Sequence, residues 1–291
     1  MGVSSKTGLS SNYIGYTAAL HVKGTFAMQT ATDKLIGRKE GAIGWVIFNN
    51  PEKRNAVSMA MAQAFATVVD DFARDPAIRV VILKGAGDKA FISGADISEF
   101  KERRSSREAM AEYDKSSDRA NKTLRECPKP TIAMIRGFCM GGGLGTAVAC
   151  DLRIASDDSR FGVPAAKLGV GYRYARLKQL ESLVGPSFTM EIFYTGRQFT
   201  APEALQMGLI NRMLPAAELE KYVLDYANTI AINAPLTIAA VKRSVIEMGK
   251  DENQRDIALC DKMVDACFAS ADYVEGRDAF TGKRKPAFQG R

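Results

Sequence analysis

The sequence predicts an α/β protein with a mostly parallel sheet and a helical C-terminal third. Three observations predict this class: short apolar runs recur between helical patterns, glycine-rich turns follow two of those runs, and helical periodicity alone continues after Gly196. Strands that alternate with helices favour right-handed crossovers, which produce parallel sheets. The 291 residues suffice for one large core. We divide the chain into a flexible N-terminal extension over residues 1–32, a core over 33–198 and a helical assembly region over 199–291.

The first elements of the core are separated by turn and capping signals. Ala42–Asn49 is a compact apolar run that ends at an Asn-Asn-Pro turn, as expected of a strand. Ser58 is a suitable N-cap for a helix with apolar residues at helical spacing, and Asp75-Pro76 ends that helix. Ile78–Leu83 is continuously apolar and β-branched, which predicts a strand covered on both faces.

The later elements follow from similar signals. Residues 99–112 are highly charged, which predicts a mobile loop or an exposed helix. Thr200–Glu203 is a capping box for a helix through Met207 that Gly208 ends. The other predicted strands are Thr131–Ile135 and Leu152–Ala155, and the other predicted helices are Thr146–Cys150, Leu219–Ile232, Leu236–Met248 and Ile257–Phe268.

Composition excludes several classes of function. Hydrophobic residues make up 46% and charged residues 25%, as in a soluble globular protein, and no apolar run approaches the roughly 20 residues of a membrane span. We therefore expect a cytoplasmic protein without a membrane partner. The net charge of +7 favours an anionic partner or, alternatively, reflects a solvated surface. Because the basic residues are dispersed, we expect no nucleic-acid partner.

The histidine and cysteine content narrows the chemistry further. His21 is the single histidine, and the five cysteines form neither a CxxC pair nor any metal-ligand spacing. We therefore predict no metal site and no histidine-based triad, and we expect the thiols to be reduced. Residues 1–32 contain no acidic residue, but they also contain no arginine, whereas a transit peptide is rich in arginine. Met28 begins a more protein-like sequence.

Two glycine-containing segments carry the candidate chemistry. Phe91–Ile97 and Gly137–Gly143 each follow a predicted strand, and the second opens a helix. Free N–H groups at such turns attract developing negative charge, and two of them converging on one oxygen form an oxyanion hole. The alternatives are a purely structural turn and a dinucleotide loop. The latter needs G-x-G-x-x-G early in a β-α-β unit, whereas this loop reads GGGLG and lies deep in the chain.

Several co-linear motifs lie within about residues 34–291. They are Asn50–Ala56, Ser93–Ile97, Pro130–Gly137 with its three following glycines, Cys150–Ala155, Phe161-Gly162, Thr195-Gly196, Ala204, Gly208–Ile210, Glu275-Gly276 through Phe280, and Lys283–Pro286. In order and spacing these motifs resemble the enoyl-CoA hydratase/isomerase (crotonase) family. The resemblance implies a crotonase-like spiral of ββα units with a helical C-terminal trimerisation region. It also implies an acyl-CoA substrate, no permanently bound cofactor because coenzyme A arrives with the substrate, and a homotrimer or dimer of trimers.

The resemblance also implies roles for individual residues. The backbone N–H groups of Ala95 and Gly142 would hold the thioester oxygen and stabilise an enolate on it. Further positions would contact coenzyme A, some of them across a subunit interface, although the basic ones are alternatively solvated charges. These positions are Lys53, Arg54, Ala56, Ser93, Asp96, Ile97, Gly141, Phe280 and Lys283.

The departures from the family pattern bear on the reaction. Hydratases of the family carry two glutamates that orient and activate water, at positions occupied here by Gly145 and Ala165. Neither residue can transfer a proton, so ordinary hydration is not expected.

Tyr172 and its neighbours are candidates to replace the glutamates. Tyr172 lies where the related methylmalonyl-CoA decarboxylase also has a tyrosine, although that enzyme has a histidine in place of Ala95. Loss of CO₂ generates the enolate directly and needs little acid–base chemistry. Arg173 and Arg176 follow and suggest pairing with a substrate carboxylate. The alternatives are a packing aromatic and solvated cations.

Three functions therefore remain open. The first is a lyase of the enoyl-CoA hydratase kind with non-standard catalytic residues. The second is a malonyl- or methylmalonyl-type acyl-CoA decarboxylase. The third is a CoA-thioester-binding protein with little catalysis. The intact glycine loop favours an enzyme, because a protein that only binds would not need both oxyanion donors in place.

Overall fold

The computed structural model describes residues 25–28, 30–96 and 107–291. The strands are β1 (Thr25–Met28), β2 (Leu35–Glu40), β3 (Ile43–Phe48), β4 (Val80–Gly85), β5 (Ala90–Ile92), β6 (Thr131–Ile135), β7 (Phe138–Met140), β8 (Leu152–Ser156), β9 (Arg160–Gly162), β10 (Phe199–Thr200) and β11 (Arg212–Leu214). The helices are α1 (Met59–Arg74), α2 (Arg107–Glu126), α3 (Gly142–Ala149), α4 (Ala165–Leu168), α5 (Tyr174–Thr195), α6 (Ala201–Gln206), α7 (Leu219–Ala231), α8 (Pro235–Met248), α9 (Ile257–Phe268) and α10 (Ala271–Thr281).

The strands form a large sheet and a small sheet, and from β4 to β9 successive strands along the chain alternate between the two. The large sheet has the order β1-β2-β3-β4-β6-β8-β11, and the small sheet has the order β10-β9-β7-β5. Each of the pairs β4/β5, β6/β7 and β8/β9 places its first strand in the large sheet and its second in the small one, and a helix follows. This repetition confirms the spiral of ββα units. Because β5, β7 and β9 run parallel, their carboxyl ends lie at one edge.

Most predicted elements of the core are confirmed. The run 42–49 forms β3, and the Ser58 Oγ accepts a hydrogen bond of 3.2 Å from the Met61 N–H at the start of α1. In β4, Val81 packs on the side of α1 while Ile82 packs on the side of α7, and both are fully buried. The strand is therefore covered on both faces, as its continuous apolar run predicts.

The expectation of helices alone after Gly196 is wrong at two places. Phe199 in β10 pairs antiparallel with Phe161 in the small sheet, and Arg212 in β11 pairs parallel with Ile154 in the large one. Strands of two and three residues are too short to show a period of two. The helix α5 also escapes prediction, because Gly185, at φ +74°, interrupts its helical pattern.

The helices contain no single candidate for a membrane span within the ranges described. One consecutive pair, α7 and α8, meets the criterion of length and composition when taken together, but the two helices are bent by 104°.

Candidate active site

A tight turn between β3 and α1 forms the first wall of the site. Asn55 is completely buried at φ +57°, and its side-chain Oδ1 accepts a hydrogen bond of 3.0 Å from the Asn50 N–H. The Asn55 Nδ2 donates to the carbonyls of Ala86 and Ala90 at 3.0 and 2.7 Å. Both the Oδ1 and the Nδ2 of the buried Asn55 side chain are therefore hydrogen-bonded. Through these bonds Asn55 connects the turn to the start of β5.

This turn pairs with the segment after β5. The Val57 N–H donates to the Gly94 carbonyl at 2.9 Å, and the Asp96 N–H donates to the Val57 carbonyl at 3.0 Å. In such a parallel bridge the residue between the two bonded groups directs its own N–H to the opposite side. The Ala95 N–H therefore points away from Val57. Among the described residues it has no recorded hydrogen-bond partner.

The second candidate donor lies at the start of α3. Gly141 has φ +54°, which favours glycine, and its N–H donates to the Gly162 carbonyl at 2.8 Å. The first bond of the helix runs from the Gly145 N–H to the Gly141 carbonyl at 3.1 Å. The Gly142 N–H precedes that bond and has no partner inside the helix, so it is available to a ligand.

Close packing holds the two loops together. β5 and β7 are parallel neighbours, with Ile92 opposite Cys139, so both loops leave the same edge of the small sheet. A Cβ atom on Gly143 would lie 2.2 Å from the Ile92 carbonyl oxygen, so only glycine allows α3 to approach the end of β5. An added Cβ on Gly94 would lie 3.7 Å from the Met140 oxygen. The loops bearing both predicted oxyanion donors are therefore adjacent.

A small cavity of about 20 Å³ adjoins the glycine loop, with room for about one water molecule. Gly142 and Gly145 line it from α3, and a Cβ on either would meet no atom within 4 Å. Tyr172 also lines the cavity and packs edge-on against Phe193, with ring centroids 4.8 Å apart. Tyr172 therefore packs against a neighbouring aromatic ring and also lies in the wall of the cavity beside the glycine loop.

Cys139 lies directly before the glycine loop and is completely buried. Burial raises the pKa of its thiol far above the ordinary value, and the charge of Cys150 acts in the same direction. The nucleophilic thiolate of Cys139 is therefore strongly disfavoured. The described part of the chain also contains no cluster of three or more His, Cys, Asp or Glu side chains that could hold a metal ion.

The predicted coenzyme A contacts near the turn lie close together. The Lys53 Nζ lies 2.8 Å from the Asp96 Oδ2, and the Ser93 N–H donates to the Arg54 carbonyl at 3.1 Å. The Arg54 guanidinium stands 5.2 Å above the ring centre of Phe138. Lys53 and Arg54 are exposed. Ala56 is buried, and its carbonyl accepts a hydrogen bond from Asn50.

Other predicted site residues are not brought to these loops. Phe280 is 88% exposed at the end of α10, and Lys283 follows it at φ +50°. No contact recorded among the described residues joins either of them to the glycine loop. Arg173 is exposed at the N-cap of α5. Ile97 lies outside the described residues, as do residues 99–106 of the charged segment.

Three polar residues near the glycine loops were not predicted as contributors to the site. Asn121 from α2 and Gln179 from α5 line the cavity, and buried Asn55 organises the turn. A lone amide in a helical pattern carries no signal for a cavity that exists only once two helices meet. Asn55 was visible only as part of a family motif.

A repeated ββα spiral with two glycine loops at one sheet edge defines the crotonase fold, and the comparisons agree. The enoyl-CoA hydratase/isomerase family profile matches residues 38–291, so this chain belongs to that family. The short-chain-enoyl-CoA hydratase of Clostridium acetobutylicum is 33% identical over 256 residues, covering 87% of this chain and 96% of that protein. The hydroxycinnamoyl-CoA hydratase-lyase of Pseudomonas fluorescens is 35% identical over 206 residues, covering 70% and 74%.

A solved structure shows the same architecture. The enoyl-CoA hydratase/carnithine racemase from Magnetospirillum magneticum superposes with a TM-score of 0.83 at 36% identity, covering 90% of this chain and 97% of that one. The agreement over nearly the whole chain confirms the crotonase fold.

Proposed function

We propose that this chain is an acyl-CoA lyase that stabilises a thioester enolate between the backbone N–H groups of Ala95 and Gly142. The observation that carries the proposal is the state of these two groups. The Ala95 N–H points away from Val57, with which Ala95 forms a bridge, and the Gly142 N–H opens α3 without a partner inside that helix. N–H groups fixed in this way need no reorganisation when negative charge develops on the thioester oxygen.

The lining of the cavity supports an unusual catalytic apparatus. Its described residues include no Asp, Glu or His. Gly145 occupies the lining at one family glutamate position, and Ala165, at the other, is a buried residue at the start of α4. Addition of water needs a group that removes its proton. The named relatives include a hydratase-lyase, and we propose that this chain shares their acyl-CoA substrate class while using other groups for proton transfer.

Tyr172 is the hydroxyl-bearing side chain that we propose for the remaining proton chemistry. It lines the same cavity as Gly142, and its ring is held in place by Phe193. A phenol at neutral pH is a proton donor rather than a base. Tyr172 can therefore donate a hydrogen bond or a proton to an enolate that is generated when a C–C bond of the substrate breaks. A neutral phenol cannot act as the base that removes a proton from water.

The position of Tyr172 supports decarboxylation as a second candidate. A malonyl-type thioester loses CO₂ when its C–C bond cleaves, and that electron pair becomes the enolate held by the two N–H groups. A proton delivered to the α-carbon then completes the reaction. This route requires no carboxylate in the protein, in agreement with the described lining.

We also propose assembly through the C-terminal helices. α8, α9 and α10 enclose an open groove of about 750 Å³ with an apolar lining, in which Val241, Val245 and Phe268 are each at least 59% exposed. Exposed apolar patches of this kind mark interaction sites. A trimer or a dimer of trimers would cover this groove and is the setting in which Phe280 and Lys283 would reach coenzyme A.

The test is a panel of CoA thioesters analysed by mass spectrometry for gain of water, loss of CO₂ or cleavage of the acyl chain. The panel includes crotonyl-, malonyl- and methylmalonyl-CoA. We expect at least one ester of the panel to be converted by cleavage of a bond in its acyl group. We expect crotonyl-CoA to gain little water. Binding of thioesters without turnover of any ester would support the third alternative, a CoA-thioester-binding protein.

A further inference from the structure

We infer that Arg176 makes the cavity beside Gly142 a carboxylate-binding site, so that the preferred substrate is a dicarboxylic acyl-CoA whose free carboxylate is retained during the reaction. This inference rests on the proposed function, because it concerns the acyl group that the oxyanion donors hold.

Arg176 lines the same cavity as Gly142 and is anchored from one side only. Its Nη2 donates to the Ser117 Oγ at 3.0 Å and to the Asp118 Oδ1 at 2.8 Å, and both partners lie on α2. Its Nε and Nη1 have no hydrogen bond recorded among the described residues. A guanidinium presents five donors in a fixed fork. The anchored Nη2 therefore orients the fork and leaves donors for a ligand.

The residues around the Arg176 guanidinium favour a carboxylate over an apolar group in the cavity. Among the described residues, the rest of the lining is largely apolar, and its neutral polar side chains are Asn121, Gln179 and Tyr172. Asn121 donates through its Nδ2 to the Ser117 carbonyl at 2.9 Å. A carboxylate inside a cavity with an apolar wall and one guanidinium gains a charge-assisted hydrogen bond, whereas a methyl group there would leave donors unsatisfied.

The ion pair with Asp118 does not remove this preference. Its carboxylate is 49% exposed, whereas the Arg176 side chain is 27% exposed. An ion pair with one partner in solvent contributes little, because water screens it. A substrate carboxylate on the cavity side can therefore share the guanidinium with Asp118.

The charge of Arg176 also indicates which carboxylate it binds. An ion pair stabilises a carboxylate in the ground state and weakens when that group leaves as neutral CO₂. Arg176 would therefore oppose loss of the carboxylate that it holds. The bound group is therefore the distal carboxylate of the acyl chain.

The experiment compares binding of succinyl-CoA and butyryl-CoA by calorimetry with the full-length chain. These esters match in chain length and differ in a terminal carboxylate against a methyl group. We expect the wild-type chain to bind succinyl-CoA at least about tenfold more tightly. Arg176→Met should abolish the difference by weakening succinyl-CoA alone, and Asp118→Asn should increase it by removing the competing carboxylate.

Lys178→Met is the matched control. Lys178 lies on the same helix and pairs with Asp251 at 2.6 Å, but it does not line the cavity, so its removal should leave the preference unchanged. Retained butyryl-CoA binding shows that Arg176→Met is folded. Equal affinity of the wild-type chain for both esters, or an unchanged preference in Arg176→Met, overturns the inference alone. Failure of the wild-type chain to bind either ester overturns the proposed function together with this inference.

Discussion

The glycine loops and the C-terminal helices differ in how closely they are packed within the chain. At the loops, backbone meets backbone so closely that a single added carbon on Gly143 would lie 2.2 Å from the Ile92 oxygen. On the C-terminal helices, Val245 and Phe268 are 60% and 63% exposed. The described contacts within one chain account for the geometry of the glycine loops, whereas the helical face is the surface that we propose is covered by another chain.

Removal of one oxyanion donor should produce the largest effect. Proline is tolerated at the first position of a helix, so Gly142→Pro deletes the N–H with little effect on α3. We expect kcat to fall by roughly 10²–10³-fold on the ester that the wild-type chain turns over. Gly142→Ala keeps the donor, and its Cβ meets no atom within 4 Å. A similar loss in both variants would contradict a role for the N–H.

A charge on the helical face should break the assembly without affecting the loops. Val245→Asp places a carboxylate in the groove between α8 and α10, and burying it in an interface would be costly. Light scattering after size-exclusion chromatography should report the mass of a single chain. Lys262→Glu, on the exposed side of α9, should retain the wild-type mass. An unchanged mass in Val245→Asp would remove this face as the interface.

Replacement of two neighbouring glycines by alanine should change the free energy of unfolding in opposite directions. Gly143→Ala forces a Cβ against the Ile92 carbonyl and should lower the free energy of unfolding by about 1–3 kcal/mol. Gly145→Ala fills open space inside a helix and should raise it by about 0.5–1 kcal/mol. Thermal unfolding of both variants at one protein concentration checks the pair, and equal shifts would show that α3 is not held against β5.

The smallest predicted loss of stability concerns the capping box of α6, and it depends on pH. The Thr200 backbone N–H and the Arg197 guanidinium lower the pKa of Glu203 to about 2. Since the folded-state pKa lies below the ordinary 4.5, Glu203 stabilises the fold fully above pH 4.5 and loses this contribution as the pH falls toward 2.

Glu203→Gln should therefore lower the free energy of unfolding by about 1 kcal/mol at pH 7, a modest cost because the carboxylate is partly exposed. Denaturant titrations at pH 7 and pH 3 should show the difference shrinking at the lower pH. A cost that is independent of pH would contradict an electrostatic origin.

The elements with strong local signals could be predicted, and those defined by assembly of the chain could not. Ser58 and Thr200 cap helices as their patterns indicate, because capping is local chemistry. β10 could not be predicted, because its two residues become a strand only by pairing with β9. The loop around Gly142 was recognisable from its glycines and its family motif.

The remainder of the candidate site depends on contacts between distant segments. The cavity wall from Asn121 and Arg176 requires α2 to pack near α5, with 59 positions separating Ser117 from Arg176. No local pattern encodes that contact. The direction of the Ala95 N–H likewise follows from a single bridge to Val57. Gly145 and Ala165 were visible in the sequence only as departures from a family pattern.

The most direct test of the central claim is hydration of crotonyl-CoA by the wild-type chain, measured beside the short-chain-enoyl-CoA hydratase of Clostridium acetobutylicum. We predict that crotonyl-CoA binds to this chain, while kcat/KM for its hydration is lower by roughly 10²–10⁴-fold, the usual contribution of positioned acid–base groups. Hydration within about tenfold of that relative would contradict the claim that Gly145 and Ala165 leave this site without the means to activate water.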